Sequence, residues 1–587
     1  MRTKQGDGSD LRIRLFLAFL TVFGMIVLAG TYQGNMVRGA GTGPAPRVTA
    51  IAQITHDGYR KTNLLAGNSQ LFVNEVPVSN RVIAKVMLPN SDRSILTSPF
   101  ANLQALDLSA DHSKLLVSAT TKNSTDPEFW TLPVAAGSPE RVGDLSGRDA
   151  SWSADGKQLA FAKGSGLYIA RADGSMAHTL YGATGSVFAV RFSPDGKRVR
   201  FTVSDTEQNT TALWEIGADG SNAHALLSGF PYKTTACCGT WTADGQYYIF
   251  QASQTLANTN IVISSLWALP ESKDPNPVPA QITDGPMSFG NPSPSLDNKQ
   301  IWAIGVQPTV QVVKYDAKSK KFVPVLPGLS ATDLDYSADG KWIAYVTIPQ
   351  GNLWRSRADG SDRVQLSPDG ERAALPHWSP DGKQISFASM KPGGSWKLTL
   401  VSMNGGDARE MLQENGSQID ANWSPDANRL MYGDYSQDKN GMNIRILNFT
   451  THKTETIPGS DGLFSPRWSP DGRYIAALST DFTTVMLFDF KTQKWSTWLK
   501  ESAGAVSYPI WSADSKYLYF DDAVNGAEAI RRVKLGSSTA EEVCVLGNLE
   551  RYMGALGQWA GRAADGSWMF VQDRSTQEVY QLSMQLP

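Results

Sequence analysis

The chain has 587 residues, 41% of them hydrophobic and 19% charged, which excludes a disordered polyelectrolyte; its 52 glycines and 31 prolines, with no collagen-like period, suit many short strands and tight turns better than long helices. Lys+Arg 54 against Asp+Glu 56 leave a formal net charge of −2, so no chain-wide basic field exists to draw it onto phosphate backbones, and nucleic acid is not an expected partner. The three cysteines, Cys237, Cys238 and Cys544, cannot form a disulfide framework, and the length calls for two domains or one long repeat array.

Residues 1–14 carry Arg2, Lys4, Arg12 and Arg14 and read as a short cytoplasmic tail. The stretch LFLAFLTVFGMIVLAG follows from residue 15. At the helical rise it reaches roughly 24 Å, and extension to Gly34 brings it toward the ~30 Å of a hydrocarbon core. Residues 15–34 are read as a transmembrane anchor or a cleaved signal peptide. Either way the basic flank stays inside and all that follows is exported. Residues 35–50, with GAGTGPAPR, read as a linker.

Beyond the linker one pattern recurs: aromatic, Ser or Thr, Ala or Pro, Asp, Gly, Lys or Arg, any residue, aliphatic, any residue, aromatic. WSADGKQLAF from Trp152 and WSPDGKQISF from Trp378 are full copies. The Asp positions are Asp111, Asp155, Asp195, Asp244, Asp297, Asp339, Asp381, Asp426, Asp471, Asp514 and Asp565, with Asn68 opening the series. The spacing of about 43 residues is the length of one four-stranded propeller blade. The Asp-Gly step is expected to turn the first strand into the second as a two-residue hairpin. The repeated Asp is expected to serve the turn through hydrogen bonds to its own backbone. Trp152, Trp241, Trp378, Trp423, Trp468 and Trp511, three residues before each Asp, are expected to pack blade against blade. A second turn, such as RADGS at 171 or GADGS at 217, leaves room for two strands after the first.

In KTTACCGTWTADG, Cys237 and Cys238 stand near the start of an inner strand and are the candidate ligand-channel residues. Two readings stay open for them: small residues buried beside Gly239, or an adjacent-residue disulfide forming a rigid plate against a flat ligand. Further on, AQITDGP at 280 repeats AQITHDG at 52. The later copy ends a blade. The earlier one has no blade before it, so it is expected to complete the last blade of its ring and cover an edge that invites aggregation. Twelve blades exceed a single ring of four to eight, so the expected fold class is all-β: tandem propellers, two six-bladed rings at 51–325 and 326–587.

With its S-[AP]-D-G-[KR] core, the repeat resembles the TolB-type WD-like β-propeller repeat family over nearly all of residues 51–587. It is similar to the propellers of tricorn-like and prolyl-oligopeptidase-like proteases and to the propeller sensor halves of membrane-bound winged-helix regulators. That resemblance implies a ring fold and leaves function open, because one ring serves many activities. KGSGL at 163 and PGSDG at 458 lack the first Gly of a nucleophile elbow. The six histidines show no ligand spacing.

The expected function is therefore that of a non-catalytic binding or sensor module. It would sit at the inner membrane with its propellers on the periplasmic side, or be released there if the N-terminal segment is cleaved. Its partner would be a protein or cell-envelope ligand, with no cofactor, no metal and no enzymatic activity. Two alternatives are carried forward: the sensor part of a transmembrane signalling or transcriptional regulator lacking its cytoplasmic head, and a propeller enzyme, peptidase-like or quinone-dependent, with its site near Cys237 and Cys238. Ligand choice is expected in the loops that do not repeat, 120–150, 203–212, 253–282 and 433–441.

Overall fold

The computed structural model describes residues 46–585 except 78–79, 122–125, 136, 273–276, 436–441, 502–505, 525–526 and 548. The tail, the apolar segment 15–34 and most of the linker lie outside the described residues. Among the described residues there is no helix, and the strands form twelve four-stranded sheets.

The blade Asp149–Trp152, Gln158–Lys163, Gly166–Arg171, His178–Gly182 shows how the repeat builds one sheet. Trp152 pairs with Leu159, and Ser153 N donates to Gln158 O at 2.9 Å. The Ser153 hydroxyl accepts Gln158 N at 2.9 Å and donates to Asp155 Oδ1 at 2.7 Å, and that carboxylate also accepts Lys157 N at 3.1 Å. Gly156 is left-handed at φ 69°, whereas Asp155 is not. The expectation of a two-residue hairpin is corrected here: the loop spans residues 154–157. A type I′ turn needs positive φ at both central residues, and instead the serine hydroxyl stands in for a backbone carbonyl across a wider loop. Where the glycine is replaced, the substitute keeps the left-handed geometry: His112 at 58°, Asn298 at 57°, Ala427 at 57° and Ser515 at 58°.

The sheets close into two rings of six. In the first, the inner strands Arg60–Ala66, Ala101–Leu108, Asp149–Trp152, Ser186–Phe192, Ala236–Trp241 and Ser288–Pro294 touch in sequence and the last touches the first. In the second, Ala331–Tyr336, Arg372–Trp378, Ser417–Trp423, Leu463–Trp468, Val506–Trp511 and Ala560–Arg562 do the same. An apolar cluster fills each seam. Between two blades of the second ring, for example, Val346 and Leu353 pack against Trp378, Ile385 and Phe387. Burying such side chains stabilises by roughly 1.5–3 kcal/mol each, and this seam packing is where the core sits.

The two rings are interlocked. Ser288–Pro294 and Gln300–Gln307 are the inner strands of a first-ring blade whose outer strands are Thr576–Gln585 and Arg47–Gln53. Ala560–Arg562 and Trp568–Asp573 are the inner strands of a second-ring blade whose outer strands are Val310–Asp316 and Lys321–Pro324. The chain thus leaves the first ring after Gln307 and returns after Asp573. The crossings, 308–309 and 574–575, lie side by side, with Arg574 N donating to Thr309 O at 2.8 Å. The division at 325/326 is corrected accordingly: the second ring takes Val310–Asp573, and the first takes Arg47–Gln307 together with Thr576–Gln585. Residues 47–50, expected as linker, are strand.

The repeated AQIT marks the same place in two blades. Gln53 Nε2 donates to Thr55 O and Gln281 Nε2 to Thr283 O, both at 2.9 Å, while the threonine hydroxyls accept Val579 N and Leu266 N. Gln365 and Ser367 repeat the arrangement. At the first-ring closure Glu578 adds a latch. It accepts from Thr55 Oγ1 at 2.5 Å, Gly58 N at 2.7 Å and the fully buried Lys61 Nζ at 3.1 Å, and Lys61 also meets Asp57 Oδ1 at 2.6 Å.

Candidate functional site at the facing channel mouths

In each blade the inner strand starts at one end and its turn into the second strand lies at the other; the connection that follows the second strand, a hairpin in ten blades and a crossing in the two shared ones, lies at the first of these ends. Both crossings run at the first of these ends, so the rings meet by the ends that carry their channel mouths. Hairpin 256–261 of the first ring reaches across. Asn258 Nδ2 donates to Gly394 O at 3.0 Å, Trp396 Nε1 donates to Asn258 O at 2.6 Å, and Asn260 N donates to Ala555 O at 2.8 Å. Gly394 and Trp396 belong to the corresponding hairpin of a second-ring blade, and Ala555 to the loop ahead of Ala560–Arg562.

The inner strands carry bulges near this end. In the second ring Asp333, Leu375, Asp420, Ser465 and Tyr508 are left-handed, with φ between 46° and 56°, each where the register with the second strand shifts. A bulge re-aims its side chain. Asp333, Asp420 and Tyr508 come from alternate blades and are drawn together through one cluster: Asp333 accepts Leu375 N, Asp420 adjoins Ile419, and Leu375, Ile419 and Tyr508 pack with one another.

Asp333 accepts from Thr332 Oγ1 at 3.1 Å and Leu375 N at 3.2 Å, and its burial outweighs these bonds and raises its carboxyl above the ordinary range. Asp420 accepts from Ser465 Oγ at 2.6 Å and pairs with Arg467 Nη1 at 2.8 Å. Tyr508 donates to Leu556 O at 3.3 Å, and burial first, then the charges of Asp333 and Asp420, push its phenol well above the usual value. An apolar cover packs on Tyr508: Leu375, Met390 and Trp396, with Ile419, Ala555 and Leu556. The loop bearing Ala555 is anchored beneath by the buried pair Arg551–Asp521 at 2.5 Å and by Tyr552 N donating to Val571 O at 2.9 Å. Burial raises the Asp521 carboxyl. Arg467 offsets the charge of Asp420, so any attraction for a cationic group rests on the half-buried Asp333.

In the first ring, Cys237 and Cys238 are joined as an adjacent-residue disulfide. Cys238 is left-handed at φ 58° and occupies the bulge position that Asp333 and its counterparts hold in the other ring. Gly239 beside it has no room for a side chain, since a Cβ there would meet Tyr248 Cε1 at 2.5 Å. The pair shares its blade with hairpin 256–261 and is not part of the Asp333–Asp420–Tyr508 cluster.

The repeated carboxylates are at the far end. Asp111, Asp155, Asp195, Asp244, Asp297, Asp339, Asp381, Asp426, Asp471 and Asp514 each accept the Ser or Thr hydroxyl two residues earlier, and Asp565 accepts Ser567 N and pairs with Lys314. Among the tryptophans, Trp378, Trp423 and Trp511 donate to carbonyls of the preceding blade, at Asp335, His377 and Arg467. Trp468 donates to Gly472 O, Trp241 lies under the Arg200 guanidinium at 4.8 Å, and Trp152 is half-buried against its blade seam.

A second series of acids and amides escaped the sequence reading. Asp107, Asp149, Asp335 and Asn422 accept the backbone N–H of Trp152, Val190, Trp378 and Trp468 in the next blade, at 2.7–3.0 Å. Their signal is an Asp or Asn shortly before the repeated aromatic, as in LDYS and ANWS.

A model of the WD domain, G-beta repeat, matches residues 174–214. The chain is 29% identical over 111 residues to the uncharacterized peptidase YuxL of Bacillus subtilis (strain 168), covering 18% of this chain and 17% of the relative. It is 25% identical over 316 residues to tricorn protease homolog 1 of Streptomyces coelicolor, covering 51% and 28%. The chain thus spans less than a third of the length of either curated relative. The solved structure of putative TolB from Agrobacterium tumefaciens is similar at TM-score 0.38 and 17% identity, covering 46% of this chain and 98% of that one. The expectation that the chain is not an enzyme is overturned by these relatives, which include a peptidase and a protease homolog.

Proposed function

Because the chain is a TolB-like, WD-like tandem β-propeller, we propose that it binds an extended polypeptide at the facing mouths of its rings, as an exported unit tethered through residues 15–34, and that this binding serves peptide processing. The observation that carries the reading is the meeting of Asp333, Asp420 and Tyr508 at the Leu375–Ile419 cluster in the second-ring channel. A peptide's ammonium group, at its amino terminus or on a lysine, suits the half-buried Asp333 carboxyl beside the Asp420–Arg467 pair, where a charge-assisted hydrogen bond is stronger than at the surface. The apolar cover of Leu375, Trp396 and Leu556 suits an adjoining side chain. The peptidase relatives favour processing over mere capture.

The test uses the full chain and a set of unstructured peptides with free or acetylated amino termini. Binding is followed by calorimetry and cleavage by mass spectrometry. Free-terminus peptides are expected to bind at least tenfold more tightly than acetylated ones, with the difference lost in Asp333→Asn and Asp420→Asn. Equal binding of both sets by all three proteins sinks the assignment of this channel.

A further inference from the structure

Hairpin 256–261 differs from the loop it rests on. It is closed on itself by Leu256 N donating to Ile261 O at 2.9 Å and Thr259 N donating to Leu256 O at 3.0 Å, with the Thr259 hydroxyl donating to Leu256 O and accepting Ile261 N. Its residues are exposed or half-buried, and none is buried. It is therefore a preformed unit held to the second ring by hydrogen bonds rather than by apolar burial, the signature of a segment that opens locally. The loop 549–559 beneath it is fixed by the buried Arg551–Asp521 pair and by Arg551 donating to Gln558 O.

The two groups that the hairpin holds are both in the channel cover. Trp396, only 2% exposed, gives its indole N–H to Asn258 O, and Ala555 gives its carbonyl to Asn260 N. Both residues pack in the cluster that contains Leu375, Leu556 and Tyr508. A continuous path of contacts runs from the hairpin through Trp396 and Ala555 to Tyr508, whose hydroxyl meets Leu556 O.

We infer that hairpin 256–261 is a strap by which the first ring shuts the channel of the second, and that it lifts as a unit before anything reaches Asp333, Asp420 and Tyr508. Asn258, left-handed at φ 58°, is its clasp, donating to Gly394 O and accepting from Trp396 Nε1 of the second ring. The strap gates the site on which the functional reading rests, but its own test needs no ligand.

The test is hydroxyl-radical footprinting of the full chain with mass-spectrometric readout at Tyr508. Two variants are compared with the parent: residues 256–261 replaced by Asn-Gly, and Asn258→Gly, which keeps the left-handed geometry and removes the bond to Gly394. Tyr345 and Tyr432, buried in other blades of the second ring, report whether each variant is folded. Tyr508 labelling is expected to rise about fivefold in the shortened variant and about twofold in Asn258→Gly, with Tyr345 and Tyr432 unchanged. Labelling of Tyr508 at the parental level in Asn258→Gly and in any folded shortened variant would overturn the strap. If the shortened variant labels everywhere, Asn258→Gly alone decides. Peptide binding that fails while Tyr508 labelling rises would sink the functional reading and leave the strap standing.

Discussion

The Ser-x-Asp-Gly turn lets one residue type be weighed against its neighbours. Ala427 takes the left-handed place that glycine holds in the fuller copies, and a side chain there costs more than the added backbone freedom of glycine in the unfolded chain. Ala427→Gly is expected to stabilise the protein by about 0.5–1 kcal/mol, read as a higher denaturant midpoint at unchanged slope. The turn carboxylates also set a pH dependence. Hydrogen bonds from Ser153, Ser337 and Ser379 lower Asp155, Asp339 and Asp381, and Asp111 and Asp565 are lowered from 3.8 to about 2. A depressed carboxyl contributes stability that is present above its unfolded pKa and lost as pH falls through its folded one. Asp107 and Asp149, raised by burial, act in the opposite sense, favouring the fold most at low pH and less as pH rises through and above 3.8. Because the lowered group is larger, urea midpoints are expected to fall between pH ~4 and ~2. Midpoints that stay flat across that window would contradict the assignment of these bonds.

At the scale of elements, the loop 549–559 stands on one ion pair. Arg551→Ala leaves the Asp521 carboxylate buried without its partner, at a cost of about 3–5 kcal/mol. The expected signature is faster amide exchange in 549–559 and at Tyr552 N, which donates to Val571 O, before any change in distant blades. What the sequence disclosed divides along the same line. The inner hairpin was legible because its chemistry is local: a serine hydroxyl, an aspartate and a left-handed residue within six positions. Outer strands carry no such motif, so Val310–Asp316 and Lys321–Pro324 gave no sign that they belong beside Trp568–Asp573. Asp333 and Asp420 were hidden for a different reason. In sequence they look like Asp149, which also stands three residues before a repeated aromatic, and Asp149 and Asp333 both accept a backbone N–H of the next blade, so only the fold shows which of them share a channel with Tyr508.

At the scale of the molecule, the rings are held by exchange of strands as much as by contact. The Glu578 latch joins the returning strand Thr576–Gln585 to the first blade of the first ring. Glu578→Ala strands the fully buried Lys61 ammonium with Asp57 as its remaining carboxylate, and is expected to cost about 3–5 kcal/mol. Hydrogen exchange should rise first in Arg47–Gln53 and Thr576–Gln585, while the blades of the second ring keep their protection. Simultaneous loss in both rings would show that the rings unfold as one unit.

The reciprocal crossings also dictate an order of assembly during synthesis. A ribosome delivers the first ring's blades early, yet that ring lacks the third strand of its last blade until Thr576–Gln585 emerges. The second ring has all its strands once Asp573 is out. The ring that is begun first is finished last, and through most of translation it is an open arc whose unpaired edge, along Gln300–Gln307, must be kept from wrong partners.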